Sequence, residues 1–73
     1  MSEAMRVSVT SPPDREKLVA EISFGREQWA ELNQERDHLQ LEIYPSPSAK
    51  YWQFDYEEVM QALIEARKRL VGE

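Results

Sequence analysis

The feature that most constrains this chain is its last third, which carries the signals of one amphipathic helix from about Asp55 to Val71. Asp55 followed by Glu58 makes a D-x-x-E form of the capping box, in which each side chain can accept a hydrogen bond from a backbone N–H left unpaired at a helix start. Phe54 before the cap and Val59 beyond it fit a hydrophobic staple. Val59, Met60, Leu63, Ile64, Leu70 and Val71 recur at three- and four-residue spacing with Ala62 and Ala66 beside them, while Glu57, Gln61, Glu65 and Lys68 fall on other faces. Arg67, Lys68 and Arg69 stand where the helix dipole favours cations, and Gly72 is placed to cap the C-terminus. Such a stripe must be buried, so the rest of the chain has to supply a second apolar layer.

Upstream, the period changes from helical to alternating. Leu18, Ala20, Ile22 and Phe24 alternate with Val19, Glu21 and Ser23, and Gly25 then marks a turn. Leu39, Leu41 and Ile43 alternate with Gln40, Glu42 and Tyr44 until Pro45 and Pro47 end the run. Arg6 to Thr10 alternates Val7 and Val9 with polar residues, and Ser11 to Asp14 form an exit loop. The stretch from Gly25 to His38 contains good helix formers, but a helix there could bury only Trp29, Ala30 and Leu32. As a strand it places Ala30 and Leu32 on the core side and joins both neighbours, so residues 28–34 are read as extended. The expected fold is α+β: an antiparallel three- to four-stranded meander with the C-terminal helix on one face, in a single domain over residues 1–73 with residues 1–5 disordered.

Pairing inward residues with inward residues then sets the register. Ile22 opposite Ala30 leaves Gly25 to Glu27 as a three-residue loop, and Leu32 opposite Leu41 leaves Glu35 to His38 as a four-residue loop. On the face away from the helix, Glu21, Glu31 and Glu42 would cross the sheet in one row, with Ser23, Trp29 and Tyr44 beside them. Like charges directly opposite each other cost roughly 0.2–1 kcal/mol per pair. Trp is also unusual on a face meant only for water. The row reads either as a docking surface, with Trp29 and Tyr44 as anchors and the glutamates meeting Arg or Lys, or as a solvated face whose repulsion a nearby cation damps.

Charge and composition narrow the function classes. Nine basic against fourteen acidic residues give a net charge of −5, which disfavours nucleic acid and anionic lipid and favours a basic protein partner. With no cysteine, no signal-peptide pattern and no membrane-length apolar run, a cytoplasmic protein is expected. His38 is the one histidine and lies in an expected turn, two glycines allow no phosphate loop, and strand glutamates at even spacing make no oxygen cage. Hence no enzyme, cofactor or metal is expected. Tyr51, Trp52 and Phe54 form the densest aromatic cluster, read as an interface anchor or as a cover over the core beside the helix.

The runs SPPDREKLVAEI, QWAELNQE and LQLEIYPSPSAKYWQFDYEEVMQALIEARKRL resemble small bacterial proteins encoded beside polymorphic toxins of the Rhs and contact-dependent inhibition type, over about Arg6 to Leu70. The resemblance rests on the LEIYP strand end, an aromatic in a Pro-rich loop and a final acidic-to-basic helix. It implies an immunity protein, a stoichiometric inhibitor of a toxin domain that is often a basic nuclease, and it assigns no functional residue. The expectation from the residues is a binding protein that uses Glu21, Trp29, Glu31, Glu42 and Tyr44. The alternative is a homodimer through the open face or an edge strand, burying Trp29 against its symmetry mate. A small enzyme or metal protein is the third reading.

Overall fold

A computed structural model describes residues 4–72. The alternating segments form β1 (Met5–Thr10), β2 (Val19–Phe24), β3 (Glu27–Asn33) and β4 (Gln40–Ile43), and the final segment forms α1 (Tyr56–Val71). The strands lie in the order β1-β2-β3-β4, every pair antiparallel, so the fold is the expected α+β meander and the middle segment is a strand. The expectation of disorder over residues 1–5 lies outside the described residues for 1–3. At Ala4 and Met5 it does not hold: Ala4 accepts a hydrogen bond from Gly25 N–H at 3.2 Å, and Met5 opens β1.

The helix ends behave as their residues dictate. Asp55 is extended (φ −64°, ψ 129°) and its carboxylate accepts from Glu58 N–H at 3.3 Å. Gly72 adopts the left-handed conformation (φ 79°) and donates to Lys68 O at 2.8 Å. Ala62 and Ala66 are buried, and Val59, Leu63 and Leu70 pack partly buried around them. Two small residues at the contact let α1 come close to the sheet. It lies over β1 and β2, which leaves Met60 and Ile64 of the expected stripe exposed. Beyond the helix's reach, Leu41 and Ile43 share the helix side with Leu32 and Ala30 but stay exposed.

The β2–β3 hairpin departs from strict alternation. Phe24 pairs with Glu27, so the turn is Gly25–Arg26, two residues and not the three expected. Gly25 takes φ 64°, the left-handed geometry that suits glycine at the first position of a two-residue hairpin turn. Ile22 pairs with Ala30 whereas Ser23 pairs with Gln28, which makes Trp29 the extra residue of a bulge. The bulge resets the alternation and turns Trp29 into the core. There its ring lies 5.0 Å from Phe54, its N–H points at Met5 Sδ 3.3 Å away, and only 4 % of the residue is exposed. The expectation that Trp29 projects from the open face is therefore corrected, as is the pairing of Ser23 with Trp29. Phe54 bridges Phe24, Trp29 and Trp52 with centroid distances of 5.2, 5.0 and 5.3 Å, and Trp52 Nε1 donates to Tyr44 O at 2.7 Å. The aromatic cluster thus closes the core at the start of the helix.

The face away from α1 is not open either. The connection over residues 11–18 is longer than a hairpin needs, and it folds back across that face. Beneath it Val19 and Asn33 are fully buried and Glu31 is 6 % exposed.

Candidate functional site

The expected carboxylate row exists: Glu21 pairs with Glu31 and Glu31 with Glu42, in the register that the apolar pattern demands. Its chemistry is inward-looking. Arg15, carried over by the 11–18 connection, places one guanidinium nitrogen 2.9 Å from Glu31 and 2.5 Å from Glu42. Asn33 Nδ2 donates to Glu31 at 3.1 Å and to Glu42 at 2.6 Å, and Tyr44 donates its hydroxyl to the other Glu31 oxygen at 3.2 Å. Glu16 N–H donates to Glu35 at 3.2 Å and pins the same connection at a second point. Partial burial opposes the charge on Arg15, but Glu31 and Glu42 outweigh it and hold its pKa above the ordinary arginine value. Burial first, and the Glu31 charge and hydrogen bond after it, push Tyr44 up to about 12.

The five residues picked from the sequence separate accordingly. Glu31, Glu42 and Tyr44 meet in one hydrogen-bonded network, Glu21 stands half-buried next to it in the row, and Trp29 is on the opposite side of the sheet. Glu31 is spent on Arg15, so the row reads as the damped face and not as free carboxylates awaiting a partner. Arg15 and Asn33 were not singled out in the sequence. The one available signal was the length of the 11–18 connection, which offers enough chain to carry a cation across the glutamates.

A second surface gathers acidic side chains that the fold does not use in this way. α1 overhangs the outer edge of β1, leaving a groove of about 680 Å³ between them. Met5 and Val7 line its sheet side, and Glu57, Glu58, Gln61 and Glu65 line the helix side. Two cations also line it, Arg6 on the strand and Arg69 at the far end of the helix side, the latter paired with Glu65 at 2.6 Å and donating to Val7 O at 2.9 Å. The sequence showed Glu57 and Glu65 on the polar faces of an amphipathic helix and Glu58 as a capping residue. It did not show that a strand edge would run beneath them.

Comparison with known families, curated proteins and solved structures finds no match for this chain. Among the described residues no group of three or more His, Cys, Asp and Glu could hold a metal ion, and no helix is long and apolar enough to cross a membrane.

Proposed function

We propose that this chain is a non-enzymatic protein-binding module for a basic partner, an immunity-type protein of the kind its sequence resembles. The observation that supports this reading is the groove between α1 and β1, where three exposed glutamates outnumber two arginines along a sheet edge in a chain of net charge −5. Glu31 and Glu42 on the other face are already matched by Arg15, so the docking surface moves from the expected row to this groove. In a cell extract from the source organism, a basic protein is expected to co-purify with the wild type and to be lost from the Glu57→Gln/Glu58→Gln/Glu65→Gln variant. Retention of the same protein by a folded triple variant would remove the groove from the reading. For the immunity role, co-production of the chain is expected to restore growth to cells making that partner.

A second reading, self-association, is favoured by the other edge. Tyr44 N–H donates to Trp29 O at 2.9 Å, so alternation turns the main-chain groups of Leu41 and Ile43 outward, and their side chains are 42 % and 63 % exposed. Pairing β4 with its symmetry mate would bring these two side chains against their counterparts in the second copy. Trp29, once the expected anchor of such a dimer, takes no part because its own core encloses it.

A further inference from the structure

The ladder shows which main-chain groups face the groove. Ala4 accepts from Gly25 N–H, so the even residues of β1 exchange bonds with β2, and the N–H and C=O groups of Met5, Val7 and Val9 point away from the sheet. Arg69 reaches Val7 O from that side, as this direction requires. Among the described residues no other donor or acceptor meets those three residues at the edge. The side chains of Met5, Val7 and Val9 share the helix side, and those of Met5 and Val7 line the groove beneath α1.

We propose that the groove receives an extended basic segment of a partner protein as a fifth strand, antiparallel to β1. This rests on the basic-partner reading above and adds how the partner is held. A residue of the added strand opposite Val7 turns its main-chain groups toward β1 and its side chain to the same side as Val7, beneath α1. Every second side chain of the segment therefore enters the space walled by Glu57, Glu58 and Glu65, which outnumber Arg6 and Arg69 in its lining. Lys or Arg fits there, with its methylene stem along Val7 and Ala62 and its charge among the carboxylates. A groove of about 680 Å³ has room for several such side chains. A second copy of this chain is the poorer occupant, because two β1 edges paired about a dyad would bring two sets of these glutamates together. In the unbound protein Arg69 holds Val7 O. Its side chain is 53 % exposed, so its pair with Glu65 is a weak surface one and the arginine can swing aside as the strand enters.

Three synthetic peptides test this, each of alternating lysine and valine with blocked ends: one unmodified, one N-methylated at the lysines and one N-methylated at the valines. All three carry the same charge, and only lysine methylation removes the N–H groups that would face β1. The expected result is binding of the unmodified and valine-methylated peptides, with slowed hydrogen exchange at the amides of Met5, Val7 and Val9, and about tenfold weaker binding of the lysine-methylated peptide. Equal binding of all three would overturn strand addition while leaving a charge-driven basic partner in place. No binding of any peptide, or protection at Leu41 and Ile43 in place of β1, would overturn the groove assignment itself.

Discussion

Glu31 shows how a single side chain is made tolerable inside a small domain. Taking a carboxylate out of water is costly unless its oxygens are matched, and here Arg15, Asn33 and Tyr44 supply both charge and hydrogen bonds. Arg15→Met keeps the chain length and removes the charge. It is expected to lower stability by roughly 1–3 kcal/mol, because a buried acceptor loses its partner, and urea unfolding would show this as a lower midpoint with an unchanged slope. Tyr44 makes a prediction about pH. Its folded pKa of about 12 stands above the ordinary value of 10, so between these values the unfolded chain binds fewer protons and unfolding becomes easier as pH rises. The stabilising effect is complete below pH 10 and lost by about pH 12. A melting temperature that declines across this window in the wild type, and less steeply in Tyr44→Phe, is the expected result.

Among the elements, α1 owes its limits to its own residues and its position to the sheet. The Asp55 carboxylate on Glu58 N–H satisfies one of the donors that a helix start leaves unpaired, and Glu57 and Glu58 sit at the positive end of the dipole. Asp55→Ala is expected to cost about 1 kcal/mol in chemical denaturation, while Asp55→Ser costs markedly less because its hydroxyl can take over the cap. The position of α1 follows from Ala62 and Ala66, which allow close approach over β1 and β2. Covering half of a four-stranded sheet has two consequences. The β1 edge lies under acidic helix residues, and the apolar side chains of β4 remain uncovered.

At the scale of the whole molecule, the two sheet edges differ in what they could accept. The β1 edge faces three carboxylates against two arginines and suits a basic strand, whereas β4 presents Leu41 and Ile43 and suits an apolar one. Net charge of −5 opposes self-association at low salt, and screening weakens that repulsion. The self-association reading therefore predicts a dimer whose population rises with salt in sedimentation velocity at high micromolar concentration. Leu41→Lys/Ile43→Lys is expected to sediment as a monomer throughout. A wild-type monomer under the same conditions would exclude dimerisation through β4. Binding of a basic partner at β1 has the opposite salt dependence, so one salt series separates the two surfaces.

What the amino-acid sequence by itself determined here is local and periodic. Apolar residues at every second position specified the strands and the Glu21–Glu31–Glu42 register, since a one-residue slip would turn Leu32 and Leu41 to the wrong face. Asp55 and Gly72 marked the helix ends for reasons contained in their own backbone and side chains. The tertiary structure alone decided the rest. An extra residue at Trp29 reversed the face of the indole, because the core opposite Phe54 and Met5 could bury a large ring that the alternation pattern assigned to water. Arg15 reached the glutamates from sixteen and twenty-seven positions away along the chain, a distance over which no periodicity carries information. The groove at β1 depends on where a rigid helix rests on a sheet wider than itself, and that is settled by packing between elements and not by the residues of either one.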